Sequence, residues 1–167
     1  KEAGIKLVGS GITNVLEGYH GSCRFLIEVS AGAGAAIGDR FEEIAEIVNA
    51  VEANGHAVGV CFDTQHAFAS GYDLRTPEAL HETLDAFDRT IGLQRLLMSH
   101  CNDSKVALGA RKDRHEHIGA GAIGLDGFRT IVNHPKLTKV NLIVETPFEG
   151  QLKDLTNLKT LRMLKNS

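Results

Sequence analysis

Val58-Gly59-Val60-Cys61-Phe62-Asp63 is a near-continuous apolar run that stops on a carboxylate, and its reading decides the fold. Unbroken apolarity, rather than strict alternation, marks a strand covered on both faces, as in a parallel sheet. The same grammar occurs three more times. Phe25-Leu26-Ile27 ends in Glu28, Leu96-Leu97-Met98-Ser99 ends in His100, and Val140-Asn141-Leu142-Ile143-Val144 ends in Glu145. Each run leads through a Gly-rich or polar loop into a stretch of helical character, so the unit is strand then helix, four times over.

The helical stretches carry their own punctuation. Phe41, Ile44, Ala45, Val48 and Val51 recur at helical spacing after Asp39, and Asn54-Gly55 closes that segment. Thr76-Pro77 predicts an N-cap and a first-turn proline for a helix that buries Leu80, Leu84 and Phe87 before Gly92. A shorter helix is predicted from Asp126, with Phe128, Ile131 and Val132 inward. In the last one, Leu152, Leu155, Leu158, Leu161 and Leu164 are expected to pack on the outside of a barrel. Residues 1–20 read as the tail of a helix leading into the first strand.

Strand ends lie 35, 37 and 45 residues apart, which suits βα units with variable loops. The predicted class is α/β of the TIM-barrel type, with about four βα units of an incomplete (β/α)8 barrel, because a whole barrel takes ~250 residues. Residues 1–167 are expected to form a single domain, the C-terminal half of such a barrel with its N-terminal strands absent. Open edges on a half-sheet would favour self-association, or pairing with the missing barrel half.

Composition narrows the function classes. A net charge of -3 excludes a chain that coats nucleic acid through overall basicity, so any such contact must be local. No apolar run approaches the ~18 residues of a membrane span, and Lys1–Gly11 lacks the apolar core of a secretion signal. The expected location is the cytoplasm, with no membrane partner. Cys23, Cys61 and Cys101 show no C-x-x-C spacing and are expected to be reduced, buried small apolar residues.

Glu28, Asp63, His100 and Glu145 each close a strand, and in a barrel such ends converge on the face where active sites lie. A carboxylate after a strand is commonly a helix N-cap, and a lone histidine is commonly a core residue. Four ligand-type residues in four units are harder to dismiss, since a buried ring of three carboxylates repels itself without a cation. His66 lies just past one strand end, and Asp113 and His115 share one side of an extended segment. Seven such residues exceed what one metal needs. Mixed imidazole and carboxylate donors suit zinc or manganese better than magnesium or calcium.

These stretches carry a family likeness. His100-Cys101-Asn102-Asp103-Ser104-Lys105 with Gly109-Ala110-Arg111-Lys112-Asp113-Arg114-His115, then Gly59 to Phe68, and Glu28 with Ala31-Gly32-Ala33-Gly34, resemble signatures of the endonuclease IV family of zinc-dependent abasic-site endonucleases. The likeness runs from about residue 4 to Glu145 and beyond, in family order. It implies up to three zinc ions at the C-terminal face of a barrel. Glu28 would bridge the first and second metals, Asp63, His100 and Glu145 would complete the second, and His66, Asp113 and His115 would hold the third. Two further histidines on earlier strands serve the first metal in that family, and His20, His56, His81 and His134 occupy no comparable motif position.

The resemblance further implies a DNA-repair hydrolase acting in base excision repair on double-stranded DNA, cutting the phosphodiester 5′ to an abasic site without a side-chain nucleophile. Glu28 and Glu145 would act catalytically through the metals they hold. This chain alone is expected to be weakly active or inactive. Lys105 and Arg114 are the candidate phosphate contacts, whereas Arg111 and Lys112 fit a solvated loop equally well. Gln65 stands where family members often carry cysteine, and Val29-Ser30 replaces a common Asn-Thr. His117 competes with His115 as a ligand, and the motif favours His115. Gly119-Ala120-Gly121-Ala122-Ile123-Gly124 matches a dinucleotide-binding pattern but follows no comparable strand, so it reads as a flexible loop.

Two other readings remain. A one-metal sugar isomerase or epimerase of the xylose isomerase-like barrel group would use the quartet at the strand ends, with no need of His66, Asp113 and His115. A non-catalytic metal- or DNA-binding chain, or a half-barrel that works only when paired, would retain the ligands without the activity.

Overall fold

The structure, a computed structural model, describes residues 1–165, so the last two residues of the expected 1–167 domain lie outside it. Four short strands form one parallel sheet: β1 (Leu26–Glu28), β2 (Gly59–Cys61), β3 (Leu96–His100) and, after an intervening hairpin, β6 (Asn141–Ile143). They lie in the order β1-β2-β3-β6, which is their order along the chain. Ile27 pairs with Val60, Val60 with Leu96, and Ser99 with Leu142. The ladder runs on past the strand ends, where Val29 N–H donates to Cys61 O, Phe62 N–H to Met98 O, and Cys101 N–H to Ile143 O. That continuation holds Glu28, Asp63, His100 and Glu145 at one edge of the sheet.

The helices follow from the apolar periodicity. Helix α1 (Glu2–Leu16) buries Ile5, Gly9 and Ile12 against α2 (Phe41–Glu52), whose Phe41, Ile44, Ile47, Val48 and Val51 are buried. Gly9 permits the close crossing, because a Cβ there would stand 3.1 Å from Ala50 Cβ. A short helix, α3 (Thr64–Ser70), starts directly at the end of β2. In α4 (Pro77–Thr90) the Thr76 side chain caps the first turn by accepting from Ala79 N–H, as its sequence predicts.

Aromatic packing joins these layers. Phe41 stacks on Tyr72 at 3.9 Å between ring centroids and meets Phe87 edge-on at 5.3 Å. Phe62 packs on both phenylalanines from the sheet side. Beyond β3, a two-stranded antiparallel hairpin of β4 (Asp103–Ser104) and β5 (His115–Glu116) carries the polar loop between them.

Helix α5 (Gly124–Asn133) begins two residues before the predicted Asp126. The reason is Asp103, whose buried carboxylate accepts from the backbone N–H groups of Gly119, Gly121, Ile123 and Gly124. Residues 119–124 are therefore an anchored turn rather than a free loop. Helix α6 (Gln151–Leu164) departs further from expectation. Only Leu161 and Leu164 of its five leucines are buried, and Leu152 is 80% exposed. Residues three apart step back about 60° per interval around an α-helix, so this row of leucines spirals away from any single face.

The cysteines divide. All three are free thiols, but only Cys61 and Cys101 are buried, and Cys23 is exposed, contrary to expectation. Among the described residues, no helix is long and apolar enough to cross a membrane. Replacing Phe87, at the junction of α2, α4 and the sheet, with alanine is expected to cost about 3–5 kcal/mol of unfolding free energy in urea. The same exchange at Leu152 should cost under about 0.5 kcal/mol.

Candidate metal centre

Asp63 lies at the middle of the sheet's carboxyl edge and is wholly buried. Its Oδ1 accepts from His66 N–H at 2.8 Å, so it is the N-cap of α3. Its Oδ2 accepts from Asn102 Nδ2 at 2.6 Å and lies 3.7 Å from His100 Nδ1 and 3.8 Å from His115 Nε2. The cap and the ligand readings of this residue thus describe different oxygens of one carboxylate. Burial is the main influence on its carboxyl group and raises its pKa above the ordinary value.

Around that oxygen the candidate residues form two groups. Glu28, Asp63, His100 and Glu145 each offer a donor atom within 4.8 Å of the others. His100 Nδ1 stands 3.2 Å from Glu28 Oε1 and 3.3 Å from Glu145 Oε2. In the second group His66 Nε2 and His115 Nε2 face each other at 3.3 Å. The Asp113 carboxylate reaches both, at 3.4 Å from the first and 3.3 Å from the second. Glu28 Oε1, 3.1 Å from His66 Nδ1, links the groups.

The facing imidazoles provide the test of whether a cation fits. His66 Nδ1 lies 2.9 Å from Val29 O, and His115 Nδ1 lies 2.8 Å from Glu145 O. A carbonyl only accepts, so both rings carry their proton on Nδ1 when neutral, and both Nε2 atoms then present lone pairs to one another. Two lone pairs at that distance require a proton or a metal between them. A backbone carbonyl behind the ring is also the support that metal-binding histidines use. Separations of 3.3–3.4 Å among these donors match the ~3.3 Å expected between ligands set tetrahedrally ~2.0 Å from zinc.

The metal-free electrostatics agree. Burial alone would lower the His66 pKa, but Glu28, Asp63 and Asp113 overcome it and raise it to about 9. Burial would raise the Glu28 carboxyl, yet His66 and His100 hold it below its ordinary value. Cys61 Sγ also lies within 4.8 Å of donors on Glu28 and His100. Burial, reinforced by the Glu28 charge, raises that thiol to about 12, so it is neutral near pH 7.

Sequence reasoning missed the buried amides that hold this arrangement. Asn102 donates through Nδ2 to Asp63, and its Oδ1 accepts from Glu145 N–H at 2.7 Å, joining two candidate ligands from different strands. Its own N–H donates to Thr64 Oγ1, which donates in turn to Asn102 O. The available signal was an unbroken polar triplet, Asn102-Asp103-Ser104, one residue past an apolar strand. His117 stands apart from the cluster, with Nδ1 3.0 Å from Asn157 Nδ2 and Nε2 3.3 Å from Glu149 Oε2.

Of the basic residues, Lys105 and Arg114 are exposed, and Arg114 Nη1 donates to Asp113 O. Arg111 is exposed but not free. Its guanidinium donates to Gly32 O and to the buried Asp39 at 2.5 Å, strapping the loop after β1 to the ligand-bearing loop.

A parallel βα sheet with imidazole and carboxylate donors gathered at the carboxyl ends of its strands defines a TIM-barrel-type protein with a candidate metal centre. The chain belongs to the xylose isomerase-like TIM barrel family, whose model matches residues 1–166. It is 43% identical over 166 residues to the probable endonuclease 4 of Chloroflexus aurantiacus, covering 98% of this chain and 58% of that protein. The probable endonuclease 4 of Halothermothrix orenii is 44% identical over 160 residues, covering 95% and 57%. The crystal structure of endonuclease IV from Thermus thermophilus superposes with a TM-score of 0.81 at 37% identity, covering 93% of this chain and 55% of that one. The chain thus spans under three fifths of the length of these relatives.

The raised His66 pKa sets a pH dependence. In the metal-free chain the stability contributed by protonated His66 is full below about 6.5 and is lost as pH rises through about 9. A metal held by His66 Nε2 must displace that proton. The difference in melting temperature between zinc-loaded and zinc-free protein should therefore widen from pH 6.5 to pH 9, as measured by scanning calorimetry in matched buffers.

Proposed function

We propose that this chain forms the metal-binding C-terminal part of a zinc-dependent DNA-repair endonuclease that hydrolyses the phosphodiester 5′ to an abasic site in double-stranded DNA. The observation that carries the reading is the pair of Nε2 atoms on His66 and His115, facing each other at 3.3 Å with Asp113 beside them. A one-metal isomerase would need the Glu28-Asp63-His100-Glu145 quartet and would have no use for this second group. The endonuclease names of the relatives, and the order in which the matching motifs occur, support the same choice.

Zinc bound here would supply Lewis acidity, for lowering the pKa of water and for neutralising phosphate oxygens. Everything else falls to the polypeptide. Glu28 Oε1 bridges the two groups, facing both His100 and His66, Glu145 joins them by its carboxylate to His100 and its carbonyl to His115, and Asn102 ties Asp63 to the backbone of Glu145 so that neither can move alone. His66 and His115 each present Nε2 because a carbonyl occupies Nδ1. Lys105 and Arg114, on the exposed loop that bears Asp113, would bind the DNA backbone and hold the phosphate over the cluster. The remaining ligands for a first metal would come from preceding strands of the barrel.

The test is zinc content together with nicking of an abasic duplex, on this chain and on a polypeptide extended by the preceding strands. Zinc is expected in both, with strong nicking only in the longer one. In that longer protein Glu145→Ala should abolish nicking, and Asn102→Leu should reduce zinc affinity or activity by about 10–100-fold. Arg114→Ala should weaken DNA binding and flatten its salt dependence by about one unit of slope. Sugar isomerisation without nicking would move the assignment to the one-metal isomerases.

A further inference from the structure

Asp113 is the weakly held member of its group. Its side chain is 58% exposed, and it sits in a loop whose residues 111–114 are all exposed, so packing does not fix it. The loop is nevertheless bonded along one side to α3, the helix that carries His66. Gly109 N–H donates to Phe68 O, and Arg111 N–H donates to Ala69 O. The next contact in this series comes from a side chain. Gln65, completely buried one residue before His66, donates through Nε2 to Lys112 O at 3.0 Å, and its Oε1 accepts from Arg114 N–H at 3.3 Å. A further contact runs from Nε2 to Ser104 Oγ at 3.3 Å, at the base of the hairpin.

We infer that Gln65 is a positioning residue for the His66-Asp113-His115 group, its carboxamide gripping the backbone on both sides of Asp113 so that the carboxylate stands ready to bind a cation. The orientation of the amide is unambiguous, because Lys112 offers a carbonyl that can only accept and Arg114 an N–H that can only donate. Lys105 N–H donates to Arg114 O on the opposite side, so Arg114 is held from both directions and Asp113 has no free swing. Asn102 performs the corresponding task for Asp63 and Glu145, which makes two buried carboxamides, one for each donor group. The inference rests on the metal reading proposed above.

Gln65→Met keeps the buried volume and removes the bonds to Lys112, Arg114 and Ser104, while Ser104 Oγ keeps its bonds with Val106. The freed Lys112 carbonyl and Arg114 N–H lie in an exposed loop where water can reach them, while the Gly109 and Arg111 bonds to α3 remain. Gln65→Asn is the milder variant, keeping the polar head and shortening its reach by one methylene. Zinc is titrated into the chain against a chromophoric chelator. His115→Ala identifies the binding class that belongs to the His66 group, and Glu145→Ala identifies the quartet's class.

Both Gln65 variants are expected to weaken the His115-dependent class by about 10–100-fold and leave the Glu145-dependent class unchanged. Equal weakening of both classes would make Gln65 a general fold residue and overturn the inference, as would no change in either. If His115→Ala itself leaves zinc binding unaltered, the metal reading fails and this inference fails with it.

Discussion

Like groups crowded at the end of a parallel sheet are the constraint on which the rest of the structure turns. Four carboxylates and three imidazoles gather at one end of the sheet about Asp63, and His66 and His115 turn their Nε2 atoms toward each other. With neither protonated imidazoles nor a cation among them, the carboxylates would repel one another and drive the side chains apart. The polypeptide instead spends its buried polar residues on holding them in place. Asp63, Asn102, Asp103, Ser104 and Gln65 form a contiguous polar layer beneath the donors, with mutual or backbone hydrogen bonds throughout.

The architecture places the cluster where a parallel sheet can best support it. Glu28 and His100 close β1 and β3, Asp63 and Glu145 lie just past β2 and β6, backbone bonds continue the ladder at Val29, Phe62 and Cys101, and Asp63 also caps α3. The hydrophobic core runs from α2 and α4 through the sheet to Val29, Phe62 and Cys101, the residues beside Glu28, Asp63 and His100, so it fixes the strand ends that carry the donors. Rigidity at the strand ends thereby becomes accuracy in the donor geometry.

Much of this was legible in the sequence because its signals are local. Apolar runs closing on Glu28, Asp63, His100 and Glu145 located four strands, and Thr76-Pro77 marked a helix start that the structure repeats. Identifying Gln65 and Asn102 as positioning residues was out of reach, since their partners lie 39 to 49 positions away and no pattern within one element announces them. The same holds for Asp103, which shaped the start of α5 from about twenty residues upstream. The leucines of α6 misled for the opposite reason. Their regular spacing of three looks like a stripe, but an α-helix turns in 3.6 residues and scatters it.

The facing imidazoles are the sharpest consequence of this arrangement, and diffraction can interrogate them directly. Anomalous scattering at the zinc edge, from crystals grown in zinc, should give one peak about 2.0–2.1 Å from Nε2 of both His66 and His115, and a second among Glu28, Asp63, His100 and Glu145. Ordered side chains in the geometry described here with no anomalous peak between the two rings would contradict the central claim.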